Sequence, residues 1–442
     1  MKINSFLKKH KLQEGDIVEL WKDSEKFKGT ILPSEGQILN LKLSNGYNAG
    51  FKISNIKKIK KLGKGLRPRK PKARKLRQRK DLPTISILHT GGTIASRVDY
   101  RTGAVITSFE PEDLLSMFPQ LGEIANYNSK LISNMFSEDM RFRHYTLIAN
   151  AIARELKKDI EGIIIAHGTD TMHYSSAALA FALEDLPLPV LLVGAQRSSD
   201  RGSSDAMMNL SCAANFIANS EFAGVAICMH SSTSDDYCSI LPACKTRKMH
   251  TSRRDAFKAI NAREIARVYY KTNKIEFIAK EFMRKDKKRK LKLRDRFEEK
   301  VALLKIHPNL MPEQIAFFRE RKYKGLIIEG TGLGHAPINV TNEFNKIHRR
   351  IFAELKKLVE DGCVVGMTSQ CLFGRVNMNV YSTGRDLQSI GVIPCEDMLP
   401  EVALVKLSWL LGNFNKEKAR ELLNKNLRGE ISSRTSLYYY PW

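Results

Sequence analysis

The chain has 442 residues, 43% of them hydrophobic and 27% charged, and a formal net charge of +26. That length exceeds a single ordinary core and implies two to four units at ~100–200 residues each, while the composition excludes a disordered or fibrous chain. No apolar run approaches the ~20 residues that a bilayer-spanning helix requires.

The first residues, Met1–Lys11, are polar and lysine-rich with no apolar stretch, so no secretory signal is expected. The seven cysteines (212, 228, 238, 244, 363, 371 and 395) are odd in number and never spaced as CxxC. They read as reduced core thiols in a cytoplasmic protein, against a disulfide framework or a zinc knuckle.

Residues 1–56 read as a small β unit of SH3-like barrel type. Gly15-Asp16 opens Ile17-Val18-Glu19-Leu20-Trp21, two further alternating runs follow at Phe27–Leu32 and Ile38–Leu43, and Ser44-Asn45-Gly46 supplies a tight turn before Ala49–Ile53. Lys57 to Lys80 then holds fourteen Lys or Arg and no acid, leaving +12 for the remainder of the chain. With Gly63, Gly65, Pro68 and Pro71 interspersed, residues 57–82 are expected to form an extended basic linker, and a polyanion such as nucleic acid is its natural partner.

From Pro83 the pattern changes to buried β-branched strands between amphipathic helices. The segments are Ile85–Leu88, Glu112–Met117, Tyr145–Leu156, Gly162–Ala166, Ser175–Leu183, Pro189–Val193, Ala206–Ala218 and Gly224–Met229. This alternation predicts an α/β domain over 83–298, with a parallel sheet covered by helices on both faces. After a charged stretch at Lys280–Lys300, a second and smaller α/β domain over 299–424 follows, through Gly325–Glu329, Phe352–Leu358, Cys363–Met367, Val376–Tyr381 and Val402–Leu411. Residues 425–442 form a C-terminal tail.

Two of the predicted strands end in the same punctuation. Ile85, Ile87 and Leu88 run into Thr90-Gly91-Gly92-Thr93, and Ile163–Ala166 runs into His167-Gly168-Thr169-Asp170-Thr171-Met172. Ligands of open α/β sheets sit beyond the carboxyl ends of the strands, so these turns imply one cleft between them. Glycines let the backbone approach a ligand, and the threonines present hydroxyls beside it. A threonine hydroxyl attacks only when something removes its proton, a task within reach of a lysine oriented by an aspartate, and Lys245 in Ala243-Cys244-Lys245-Thr246 is the candidate. His167 reads as a packed histidine in preference to the base of a serine triad.

The combination of TGGTIAS, HGTDTM, VGAQRSSDRGSSDAMMNL and CKT resembles the bacterial-type L-asparaginase family over roughly residues 83–424. The resemblance implies an asparaginase-like two-domain α/β fold behind the small barrel, with the nucleophile at Thr93 and Thr169, Asp170 and Lys245 assisting. It places the lid tyrosine at Tyr100 and substrate contacts at Ser137, Glu138 and Ala195; beside it, the physical reading has backbone N–H groups at the Gly92 and Gly168 turns bind the substrate and stabilise the oxyanion. The family often carries glutamine where this chain has Glu138. It implies no metal and no cofactor in this chain.

Barrel, basic linker and asparaginase-like region, together with Gly330-Thr331-Gly332-Leu333-Gly334-His335, further resemble the GatD family of archaeal glutamyl-tRNA(Gln) amidotransferases. That implies a chain releasing ammonia from glutamine or asparagine for a partner, GatE, which amidates Glu-tRNA(Gln) with ATP and Mg²⁺. It also implies a GatD homodimer within a heterotetramer. Phe373-Gly374-Arg375, Asn377 and Tyr381 are candidates for lining a dimer-side cleft, and Arg67, Arg69, Lys70, Lys72, Arg74 and Lys75 for contacting tRNA phosphates. The rival readings are a stand-alone asparaginase or glutaminase and an inactive RNA-binding scaffold.

Overall fold

Residues 16–64 build a five-stranded antiparallel sheet from Asp16–Lys22, Glu25–Ile31, Ile38–Leu43, Asn48–Lys52 and Ile56–Lys64, in which the first strand pairs with both the second and the fifth. The computed structural model describes residues 3–32, 34, 36–44, 48–64, 79–91, 96–98, 105–107, 118–197, 203–437 and 440. Val18, Leu20, Ile31, Leu39, Leu41 and Phe51 form the core of this sheet, and the helix Ile3–Lys9 covers it with Ile3, Phe6 and Leu7.

The fifth strand lies where the sequence suggested the linker had begun. Its apolar residues recur every third position, Ile56, Ile59 and Leu62, which is not a strand period. Two register irregularities against Asp16–Lys22, between Ile17 and Val18 and between Trp21 and Lys22, absorb the mismatch. They leave Ile56 and Ile59 packed on the core while Lys57, Lys58 and Lys60 face solvent.

The large domain is built on an eight-stranded sheet. Thr84–His89, Asn126–Leu131, Gly162–Ala166, Pro189–Val193 and Gly224–His230 pair in parallel, and Tyr237–Pro242, Ala266–Tyr269 and Ile275–Phe277 continue the sheet antiparallel. The expected parallel sheet is therefore a mixed one. The reason is connection length, because the few residues between His230 and Tyr237 suffice for a hairpin but not for a crossover.

Gly162–Ala166 and Pro189–Val193 are buried at every position, as strands covered on both faces must be. Ile163, Ile165, Val190 and Leu192 pack on one face with helices Phe142–Glu155 and Met172–Ala182. Ile164, Leu191 and Val193 pack on the other with Ala206–Asn219.

The smaller domain holds four parallel strands, Val301–Lys305, Gly325–Gly330, Val364–Ser369 and Ile393–Pro394. Its helix Pro400–Asn413 joins the core of the large domain, with Trp409 stacked on Phe181 at 5.4 Å between ring centroids. Val376–Tyr381 forms no regular element and contributes Val376 and Met378 to the smaller core. The expected segment Glu112–Met117 lies outside the described residues. Six of the seven cysteines are buried as free thiols, and Cys371 is exposed.

Candidate active site

The strands Thr84–His89 and Gly162–Ala166 are neighbours, so their carboxyl ends open side by side. Thr90 joins them, donating both its N–H (3.0 Å) and its hydroxyl (3.1 Å) to the Ala166 carbonyl. Gly91 follows with φ of +111°, where a Cβ would stand 2.2 Å from the Met135 carbonyl oxygen, so only glycine fits this step. Thr93, Gly92 and Tyr100 lie outside the described residues, as do Arg67, Arg69, Lys70, Lys72, Arg74 and Lys75.

Around the second strand end the expected residues converge. Ser137 is buried; its hydroxyl accepts from the Asp170 N–H at 3.2 Å and its carbonyl accepts from the Thr171 hydroxyl at 2.6 Å. A Cβ on Gly168 would meet Ser137 Cβ at 2.8 Å, so glycine is required for this close approach. On the other side, a Cβ on Gly194 would touch Thr169 Cγ2 at 2.8 Å, which places the turn carrying buried Ala195 against Thr169. Glu138 stands exposed in the short turn Ser137–Asp139.

The lysine at this site is Lys248. Its ammonium donates to Thr169 Oγ1 at 2.9 Å and to Asp170 Oδ1 at 2.7 Å. Lys245 points elsewhere: it is buried and donates to Asp397 Oδ2 at 2.7 Å in the smaller domain. Alternation along the extended segment explains the exchange. Lys245 and Arg247 both reach carboxylates of the smaller domain, Asp397 and Glu401, whereas Lys248 falls on the opposite side, toward Thr169. Three basic residues within four positions look alike in sequence, and only the orientation of Thr246–Lys248 separates them.

His167 is fully buried, with Nδ1 2.6 Å from the Gly168 carbonyl and Nε2 2.8 Å from the Ser175 hydroxyl. Burial pushes its imidazole down to about 4, so it is a neutral packing residue. His173, at the start of the next helix, is pushed down to about 3 by burial and by the nearby Arg247 and Lys248 charges.

Asp205 is a site residue that sequence reasoning passed over. Fully buried, its carboxylate accepts from the N–H groups of Gln196 and Arg197, both at 3.0 Å, and so fixes the turn after Ala195. Its signal was an acid at the foot of the apolar helix Ala206–Asn219. Among the described residues no group of three or more His, Cys, Asp or Glu is arranged to hold a metal ion, and no helix is long and apolar enough to cross a membrane.

Of the candidates in the smaller domain, Arg375 pairs with Glu396 at 3.4 Å and donates to the Ser432 carbonyl at 2.6 Å, while Tyr381 lies exposed against His335. A hydroxyl, a carboxylate and an ammonium within hydrogen-bonding reach, at the end of a rigid sheet, can move a proton to and from a neighbouring group.

Three family models match the chain: "GatD N-terminal domain" over residues 12–62, "Asparaginase, N-terminal" over 84–282 and "Glutaminase/Asparaginase C-terminal domain" over 300–423. The glutamyl-tRNA(Gln) amidotransferase GatD of Pyrococcus furiosus is 48% identical, with 98% of each chain covered. That of Archaeoglobus fulgidus is 46% identical, with 96% of each covered. Among solved structures, the thermostable L-asparaginase from Thermococcus kodakarensis aligns with a TM-score of 0.68 at 28% identity, covering 79% of this chain and 99% of that one. L-asparaginase I from Vibrio cholerae aligns at 0.67 and 28% identity, with the same coverage. An asparaginase fold behind a GatD N-terminal domain, and near-full-length identity of almost one half, place this chain in the GatD family of glutamyl-tRNA(Gln) amidotransferases.

Proposed function

We propose that the chain hydrolyses the side-chain amide of glutamine or asparagine and supplies the ammonia to a partner, GatE. The partner, in this reading, uses ATP and Mg²⁺ to convert Glu-tRNA(Gln) to Gln-tRNA(Gln). The observation that carries the reading is the contact of Lys248 with both Thr169 and Asp170, directly beside the strand end that leads to Thr93.

Thr93 Oγ attacks the carboxamide carbon, and its proton passes through the Thr169 hydroxyl and Lys248 to the departing nitrogen. The C–N bond breaks, ammonia leaves, and the acyl group remains as an ester on Thr93. Water then adds to the ester carbon, giving the free acid and restoring the hydroxyl. Backbone N–H groups of the Gly92 and Gly168 turns stabilise the oxyanion, a contribution of ~3–4 kcal/mol per donor. Asp170, exposed at the mouth, pairs with the substrate α-ammonium, and Glu138 stands near enough in the chain to Ser137 to add a second carboxylate. Tyr100, which lies outside the described residues, is the lid tyrosine of this reading.

No metal is needed by these steps, and the location proposed for the complex is the cytoplasm. The homodimer core and heterotetramer belong to this same reading. The test is ammonia release from glutamine and from asparagine, with and without GatE and Glu-tRNA(Gln). Release that depends on partner and tRNA supports the amidotransferase reading; full-speed release without them supports a stand-alone amidase.

A further inference from the structure

The strand carrying Lys248 lies where the two α/β domains meet and is held from both. Among the described residues Thr246–Lys248 pairs with Phe257–Ala259, a short two-stranded ladder extended by the Ile260 N–H donating to the Lys245 carbonyl (2.7 Å) and the Met249 N–H donating to the Ala256 carbonyl (2.6 Å). A two-stranded ladder this short needs packing from neighbouring elements. Within the large domain the Thr246 hydroxyl donates to the Pro242 carbonyl at 2.7 Å, and the smaller domain adds ion pairs to Lys245 and Arg247. Lys245 donates to Asp397 at both Oδ2 (2.7 Å) and the carbonyl (3.2 Å), and Arg247 meets Glu401 at 3.2 Å. Asp397 lies in the turn before the helix Pro400–Asn413, and Glu401 stands in the first turn of that helix. Both side chains of the Lys245–Asp397 pair are almost completely buried, at 3% and 1% exposure, so neither charge has water as an alternative partner.

Asp397 is held in turn by the tail. Its Oδ1 accepts the Ser432 N–H at 2.9 Å, and the carbonyl of Ser432 is clasped by Arg375. The tail is anchored two residues earlier by Glu430, which is wholly buried, pairs with wholly buried Lys406 at 2.6 Å and accepts from the N–H groups of Leu427 and Arg428. This anchor lies beyond residue 423, where the match to the asparaginase C-terminal model ends.

We propose that Asp397 is a positioning residue for the Thr169–Lys248–Asp170 relay. Through Lys245 it fixes the strand Thr246–Lys248, and the tail behind it, by way of Ser432, sets where the Lys248 ammonium stands. The smaller domain and the tail are thereby part of the amidase scaffold of their own chain. The inference rests on the reading of Lys248 as a member of the relay.

The test measures ammonia release by the full-length chain, in whatever assembly shows activity, alongside thermal unfolding. Asp397→Asn keeps the shape and removes the charge that holds Lys245. It is expected to lower kcat about 10- to 100-fold with KM within about threefold, the size of effect that a misplacement of roughly 1 Å produces. Lys245→Arg, which retains the ion pair with an intact Asp397, should keep kcat within about threefold of wild type. Ser432→Pro removes the N–H that holds Asp397 and leaves the Lys245–Asp397 pair in place. It should lower kcat about three- to tenfold, and it decides the matter if Asp397→Asn fails to fold. Folded Asp397→Asn and Ser432→Pro variants with wild-type kcat, or with a raised KM at unchanged kcat, overturn the proposal. Lys248→Met separates the two levels, since full activity in that variant defeats the relay reading itself, whatever Asp397 does.

Discussion

Lys248 donates to the Thr169 hydroxyl at 2.9 Å and to the Asp170 carboxylate at 2.7 Å, and so ties two adjacent residues of one strand end to a lysine 78 positions further along the chain than Asp170. Replacement of Lys248 by Met is expected to lower amide hydrolysis by on the order of 10³-fold, and Thr93→Ala by at least as much, because both interrupt a step that the other residues cannot take over. Ammonia supplied free in solution should still support amidation of Glu-tRNA(Gln) in the presence of the partner. Ammonia release from glutamine, followed by transamidation with added ammonium, checks both halves. Retention of a tenth of the hydrolytic activity in Thr93→Ala would rule out the covalent step.

A pH dependence of stability follows from the buried imidazoles. His167 and His89 are pushed down to about 4 and His173 to about 3, each chiefly by burial, from an ordinary 6.5. Below pH 6.5 the unfolded chain takes up protons that the folded chain refuses. Stability is therefore fully present above about 6.5 and falls as the pH drops toward 4, by up to ~1.4 kcal/mol per pH unit for each group. The thermal midpoint should hold level from pH 7.5 down to about 6.5 and decline from there to pH 5. His167→Gln should lower the midpoint at neutral pH, through loss of the fit to Ser175, and make its decline shallower. Its hydrolytic activity should stay within about tenfold of wild type, whereas a general base would cost ~10²–10⁴-fold.

Gly168→Ala tests the packing that brings Ser137 to the site. The added methyl group would arrive 2.8 Å from Ser137 Cβ and 2.9 Å from its hydroxyl, inside contact distance. Overpacking of this kind costs ~1–3 kcal/mol, and relief requires the Ser137 turn to move away from Asp170. The expected outcome is a lowered melting temperature with a KM for the amide raised about tenfold or more, as a loss of binding of ~1.4 kcal/mol or more would produce. An unchanged KM would remove Ser137 from the substrate contacts.

The basic arm tests the polyanion partner. Replacing Arg67, Arg69, Lys70, Lys72, Arg74 and Lys75 by glutamine should weaken all tRNAs about equally and flatten the salt dependence of binding, by a log–log slope of ~0.7–0.9 for each phosphate contact removed. Hydrolysis of glutamine measured without tRNA should be unaffected. A loss confined to tRNA(Gln), or none at low salt, would exclude this use of the arm.

The layered α/β architecture is legible in the amino-acid pattern alone. Gly162–Ala166 and Pro189–Val193 are apolar at nearly every position, and five such residues bounded by turns form a buried strand whatever surrounds them. The turns after Thr84–His89 and Gly162–Ala166 were equally legible, since Gly91 and Gly168 occupy positions that a Cβ cannot. Two features were not legible, and for related reasons. The strand Ile56–Lys64 hides a three-residue repeat that only two register shifts against its neighbour make compatible with a sheet. The choice between Lys245 and Lys248 depends on which side of a short strand faces Thr169, and that side is decided by Asp397 and Glu401, about 150 residues away. Local periodicity records how a segment satisfies itself. Which of its faces meets which partner is settled by ion pairs and packing between distant parts of the chain, and these exist only once the two domains have come together.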